Sequence, residues 1–379
     1  MLADHPTVPA ERPVPLLPTA VFLCFLFVLL FIDLGLLNRK AHVISGPQAL
    51  RQTGIWVAVA LAFAGFIYFA YEHRIMGLGP PEPILTGPPP AGQQLSPANL
   101  PAPAMLMPAN GRDAAAMFAS GYILELVMSL DNMMVIAIIM TYFKVPHAFQ
   151  HRLLFWGILG AVVLRGIMIG AGAALIHQFE WVLYLFGLFL LYTAIKLLRD
   201  HGEEPDLERN PAVRFARRFF LISPSYEGTR FTTRIDGRLA LTPMALALFA
   251  IESADVIFAV DSIPAIFSVT RDPFIVLTSN CFAILGLRSI FFAVTAVTRN
   301  FPYLKHAMIL ILAYIGAKML LPLMQHVPGI REHIPSWDFH IPSTVSLAVI
   351  LALMLGGIGL SLARRETLAA DATKDNTHR

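Results

Sequence analysis

The chain has 379 residues, 56% of them hydrophobic and only 14% charged, with 28 Lys and Arg against 25 Asp and Glu. Soluble domains carry about a quarter charged residues, so this balance, with a mean hydropathy of +0.64, excludes an ordinary soluble protein and indicates the membrane class. A net charge of +3 is too small for a nucleic-acid-binding surface, and two isolated cysteines, Cys24 and Cys281, form neither a disulfide framework nor a zinc or iron–sulfur motif.

Apolar runs able to cross about 30 Å of hydrocarbon fall, in chain order, at 19–38, 54–71, 114–141, 152–176, 179–198, 241–268, 274–297, 303–323 and 343–363. They predict an all-α, polytopic membrane bundle of about nine transmembrane helices. The first run lacks a basic segment close before it and a small-residue cleavage site, and reads as a retained span. Asp33, near its inner end, is either a further ligand or a snorkelling side chain. With the N-terminus outside and the C-terminus inside, twenty of the 28 basic residues fall in inner segments and five in outer ones; Arg165, Arg288 and Lys318 lie within spans. That asymmetry is the positive-inside pattern, and it predicts an N-out, C-in topology.

The spans divide the chain into a two-helix segment, 1–74; a Pro-rich outer linker, 75–113; a core, 114–323; and a last helix with its cytoplasmic tail, 324–379. The linker holds ten prolines between Pro80 and Pro108 and reads as disordered. The inner loop 196–240 is strongly basic; its charge sets topology, and it also offers a surface to anionic lipid or a partner. Within the core, Ile158-Leu159-Gly160 followed by Arg165 is echoed by Ile284-Leu285-Gly286 followed by Arg288. Tyr192, Lys196 and Leu198 recur as Tyr314, Lys318 and Leu320 at the same spacing. Spans 3–5 and 6–8 therefore predict an inverted repeat, the architecture with which secondary transporters bind cargo near the bilayer midplane.

The third span carries Glu125, Ser129, Asp131 and Asn132; at 100° per residue Glu125, Ser129 and Asn132 share one face, with Asp131 at its flank. The sixth carries Glu252 and Asp255 on one face, then Asp261, Ser262 and Pro264. Asp261 falls on the opposite side of an ideal helix from Glu252, so the expectation is a break at Pro264 that swings Asp261 toward the site. A central Asp costs about 2.5–3.5 kcal/mol to insert, so five such acids cost on the order of 10 kcal/mol and are expected to line a wet cavity, pair with charge or take up protons. Arg165 and Arg288 are the available counter-charges. Carboxylates, the Asn132 amide and the hydroxyls of Ser129 and Ser262 suit Mg²⁺, Ca²⁺ or Mn²⁺; neither acidic helix holds His or Cys. Met128, Met133 and Met134 are either apolar filler or a thioether source that favours Mn²⁺. No nucleotide loop, nucleophile elbow or zinc-protease motif is present, so no enzyme activity or bound cofactor is expected.

These motifs resemble the TerC/Alx family of bacterial membrane proteins. The resemblance is carried by Glu125-Leu-Val-Met-Ser-Leu-Asp131-Asn132, Asp255-Val-Ile-Phe-Ala-Val-Asp261-Ser-Ile-Pro264, Thr270-Arg-Asp-Pro-Phe274, and the stretch from Thr278 to Arg288. It is also carried by Asp33-Leu-Gly, Arg39-Lys-Ala-His42 and the stretch from His151 to Gly160, and it spans roughly 30 to 325. The resemblance implies a LysE-type transporter fold in the bacterial inner membrane and a part in Mn²⁺ efflux, with Glu125, Asp131, Asn132, Glu252, Asp255 and Asp261 as the site residues. Tellurium resistance or redox modulation by a scaffold that moves nothing is the alternative it carries. Ser253-Ala254, where a bulkier Phe-Thr pair is expected, and Met128, where Leu is usual, depart from the family pattern. The expected partners are a divalent metal ion and membrane lipid, with no nucleic acid.

Overall fold

A computed structural model describes residues 15–32, 46–79, 107–179, 181–199, 210–297, 303–326 and 341–377. Asp33 and residues 80–106 of the Pro-rich stretch lie outside the described residues, as do the side chains of Asp131 and Arg288. Each predicted apolar run falls on a helix: α1 (Leu16–Phe31), α2 (Gly46–Glu72), α3 (Gly111–Tyr142), α4 (His147–Gln178), α5 (Val182–Arg199), α7 (Pro243–Phe267), α8 (Pro273–Val297), α9 (Leu304–Leu320) and α10 (Ser343–Thr377). Between α5 and α7 lies one further short helix, α6 (Pro211–Phe219). Among the described residues, seven helices are long and apolar enough to cross a membrane; α1 and the apolar stretch Pro273–Gly286 of α8 are shorter. Large apolar side chains such as Phe27, Leu61, Ile167, Leu188 and Leu360 are exposed along the bundle, a surface suited to hydrocarbon rather than water.

Most contacts among the core helices pair as a two-fold arrangement requires. Exchanging α3, α4 and α5 for α7, α8 and α9 turns the α3–α8 packing into α7–α4 and the α3–α9 packing into α7–α5, and leaves α5–α9, α3–α7 and α4–α8 as they are; all of these contacts occur. The helix α8 is wrapped by α1, α2, α3 and α4, around an aromatic cluster in which the Phe63 ring lies 4.6 Å from Phe282 and 5.4 Å from Phe118. The α7–α8 connection is drawn into the bundle: every residue from Ser262 to Val276 is buried, including Arg271, which the topology reading counted among the outer segments. Asp272 caps α8 there, its Oδ1 accepting the amide N–H groups of Phe274 and Ile275 at 3.0 and 3.2 Å. The ends of the Pro-rich linker are held close by the Gly111 amide donating to Glu72 Oε2 at 2.9 Å.

The basic loop 196–240 is not irregular throughout. The helix α6 leads into a small sheet of β1 (Leu221–Ile222), β2 (Thr232–Ile235) and β3 (Arg238–Leu241), ordered β1-β3-β2, a local exception to the all-α reading. The β2–β3 hairpin turns on Asp236 and Gly237, whose φ values of 51° and 77° are those of the tight turn that matches strand twist. The sheet docks on the α3–α4 end of the bundle, where Tyr226 donates to the Phe143 carbonyl at 2.7 Å and Arg152 donates to the Thr229 hydroxyl at 2.7 Å.

Helices α5 and α9 approach closely because Gly316 and Gly187 carry no side chain: a Cβ on Gly316 would lie 2.8 Å from the Gly187 carbonyl oxygen and 3.1 Å from the Leu191 amide nitrogen. Backbone atoms cannot give way cheaply, and overpacking costs about 1–3 kcal/mol. Gly316→Ala is expected to lower the unfolding temperature of the detergent-solubilised protein by about 2 °C or more, whereas Gly170→Ala, which meets nothing within 4 Å, is expected to leave it unchanged or raise it.

Candidate metal-ion site at the repeat interface

Charged groups from three helices and an amide from a fourth converge at the centre of the bundle. Asp255 is the middle residue of the 25-residue α7, so at 1.5 Å per residue about 18 Å of helix lies on either side of it, more than half a bilayer core. Glu125 and Arg165 likewise stand near the middles of the 32-residue helices α3 and α4. Arg165 is 1% exposed and reaches both acids. Its Nη2 donates to Asp255 Oδ1 at 2.8 Å and its Nε to Asp255 Oδ2 at 3.2 Å, a bidentate pair. Its Nη1 donates to Glu125 Oε1, and at 3.4 Å to Asn280 Oδ1 on α8. The guanidinium therefore joins the two repeat units, α3 and α4 on one side and α7 and α8 on the other.

Around this pair the acceptors are incompletely satisfied. Ser129 donates its hydroxyl to Glu125 Oε1 at 3.3 Å, one helical turn along the face the sequence predicts. Glu125 Oε2, Glu252 Oε2 and the Ser262 hydroxyl are buried without a hydrogen-bond partner among the described residues. Glu252 lies against Gly160 of α4; a methyl group there would overlap its carboxylate. A cavity of about 30 Å³, lined by Asn132, Met133, Ile251 and Asp255 among others, opens between α3, α4 and α7. That is room for a water molecule or a dehydrated ion. Of the three methionines singled out, Met133 lines this cavity, Met128 is buried elsewhere in the core, and Met134 is 47% exposed.

Asp261 does not join them. The helix α7 runs unbroken from Pro243 to Phe267, so the break predicted at Pro264 does not occur. Pro264 stands in the last turn of α7, where its missing N–H costs one bond to the Val260 carbonyl and leaves the helix before it intact. Nine residues after Glu252, Asp261 thus stays half a turn away, where Thr193 of α5 donates its hydroxyl to Oδ1 at 3.3 Å. Asp131 and Arg288 are placed on α3 and α8 by their backbones. Among the described residues, no three of His, Cys, Asp and Glu stand close enough together to hold an ion; Arg165 occupies the space between the two acids instead.

The model of the integral membrane protein TerC family matches residues 110–368, which include α3 through α9 and most of α10. The chain belongs to the TerC family. It is 37% identical over 359 residues to the uncharacterized membrane protein STKORF319 of Myxococcus xanthus, covering 94% of this chain and 96% of that one. It is 37% identical over 331 residues to Alx of Escherichia coli strain K12, provisionally named a membrane-bound redox modulator, covering 86% of this chain and 88% of that one. The Salmonella typhi protein of the same name is 40% identical over 336 residues, covering 88% and 90%. No solved structure matches the chain. The TerC match contains every residue of the Arg165 cluster.

Three participants escaped the sequence reading. Asn280 and Thr193 are uncharged residues in apolar helices, and only tertiary packing brings them to Arg165 and Asp261. Gly160 was legible as part of a repeated Ile-Leu-Gly motif but not as the seat of Glu252. Removing Arg165 leaves two buried carboxylates without a counter-charge, which costs about 3–5 kcal/mol. Arg165→Ala is therefore expected to destabilise the solubilised protein strongly, and Arg165→Ala combined with Asp255→Asn to destabilise it less than Arg165→Ala alone; thermal unfolding of the three variants checks the sign of this coupling.

Proposed function

We propose that the chain is a divalent metal cation transporter of the bacterial inner membrane, exporting Mn²⁺ through the acidic site at the repeat interface. The observation that carries the reading is Arg165 held at mid-helix depth by Glu125 and Asp255, one acid from each repeat unit. Ionisable groups at that depth are costly and mark ion pathways. In this reading Arg165 is a tethered stand-in cation. An arriving ion enters the cavity beside Asp255 and Asn132, takes the carboxylate oxygens, and releases the guanidinium. Oxygen ligands suit a hard divalent ion, and the Met133 thioether beside them favours Mn²⁺ over Mg²⁺ or Ca²⁺.

Because the guanidinium bridges the two units, its release loosens their contact, and the core 114–323 can then rock between inward-open and outward-open forms. Asp131, Glu252 and Asp261 serve as further carboxylates along the path, with Ser129, Ser262 and Arg288 supporting them, in an N-out, C-in chain. Protons compete for the same acids and couple export to the proton gradient. The name carried by the Alx relatives favours a second reading, a redox-modulating membrane scaffold that transports nothing.

Proteoliposomes separate the two. Wild-type protein is expected to carry Mn²⁺, and Asp255→Asn, Glu125→Gln and Asp131→Ala each to slow the flux by about tenfold or more, the loss of one charge-assisted ligand. Collapsing the proton gradient is expected to slow wild-type flux as well. Wild-type vesicles no more permeable to Mn²⁺ than empty ones would leave the scaffold reading in its place.

A further inference from the structure

The basic segment between α5 and α7 has structure that the transport site does not use. Val213 and Ala216 of α6 are buried, and Ala216 packs in a small apolar cluster with Leu241 and with Ala245 and Leu246 of α7. Asn210 donates through Nδ2 to the Ser253 hydroxyl at 2.8 Å. Ser253 is ten residues into α7, about 15 Å along its axis, so α6 lies lengthwise against the outer flank of the first turns of a membrane-spanning helix. A helix docked along the first turns of a spanning helix is placed to meet the rim of a bilayer.

The rest of the α6 surface faces away from the bundle. Phe215 and Phe219 pack with ring centroids 4.6 Å apart and planes tilted by 42°, and are 59% and 63% exposed. At 100° per residue Phe215 projects away from Val213 and Ala216, Phe219 lies between it and Ala216, and Arg214, Arg217 and Arg218, which are also exposed, line the other flank of Phe215. The apolar rim continues through Phe220, Leu221 and Leu239, all exposed. Residues 210–242 hold six arginines (214, 217, 218, 230, 234 and 238) against two acids, Glu227 and Asp236. Exposed aromatics beside arginines, on a helix fixed at the flank of a spanning helix, are the composition of an interfacial helix that sinks its rings among acyl chains and holds anionic headgroups.

We propose that α6 is an anionic-phospholipid binding element: Arg214, Arg217 and Arg218 take the headgroup phosphate, and Phe215 and Phe219 insert between the chains. The lipid is thereby tied, through Asn210 and Ser253, to the turn of α7 that carries Glu252 and Asp255. The test uses the full chain, delipidated in detergent and titrated with phosphatidylglycerol or phosphatidylcholine, with retained lipid counted by native mass spectrometry. Wild type is expected to retain phosphatidylglycerol about tenfold or more over phosphatidylcholine, less so at high salt. The triple variant R214Q/R217Q/R218Q is expected to lose that preference, R214K/R217K/R218K to keep it, and F215S/F219S to weaken retention of both lipids. Equal retention of the two lipids by wild type would overturn the proposal, as would a glutamine variant that keeps the preference. So would a soluble protein or nucleic acid that occupies α6 while lipid retention stays the same. Because the readout is bound lipid rather than flux, the outcome does not depend on whether the chain transports Mn²⁺.

Discussion

A buried arginine shared by two carboxylates organises this membrane protein. Arg165 is enclosed by the bundle, and hydrocarbon leaves an uncompensated guanidinium no alternative partner. Its bidentate bond to Asp255 and its further bonds to Glu125 and Asn280 settle how α3, α4, α7 and α8 must face one another. Each pairing is between groups that would be expensive alone, so the same contact that holds the two repeat units together also keeps the acids at mid-depth. The arrangement is balanced only in part. A carboxylate oxygen on Glu125 and another on Glu252 are left unmatched among the described residues, and Asp255 lines a cavity that can admit a small ion.

Close helix approach makes that contact possible. Gly160 lets α4 pass directly under the Glu252 carboxylate, and Gly187 and Gly316 bring α5 onto α9. Between lipid-facing surfaces rich in Leu, Ile and Phe, these small residues determine where helices touch, since no hydrophobic force distinguishes one apolar face from another inside a bilayer. Most of the packed pairs within the core have a counterpart under exchange of α3–α5 with α7–α9. An architecture of that kind places its shared centre where two similar units meet, and the charged cluster is found there.

Much of this was legible in the sequence. Apolar runs longer than a bilayer is thick gave the helices, and the 100° rule put Ser129 beside Glu125 and Asp261 opposite Glu252. The proline misled: three residues before the end of α7, Pro264 reads in one dimension like a mid-span break, but in the fold it stands in a terminal turn where the lost bond matters little. Arg165 was visible as a counter-charge but not as the hub. Its partners lie 40, 90 and 115 residues away in sequence, a matter of packing rather than pattern. The Asp236-Gly237 turn between alternating residues did carry a hairpin signal, one obscured by the overall basic character of the loop.

The central claim is that Glu125 and Asp255 release Arg165 to receive a divalent cation. Anomalous scattering at the manganese edge, from the protein in lipid with Mn²⁺ bound, tests it most directly. The account predicts a manganese peak between the two carboxylates, with the guanidinium turned away from Asp255. A peak elsewhere, with Arg165 still bound to both acids, would contradict it.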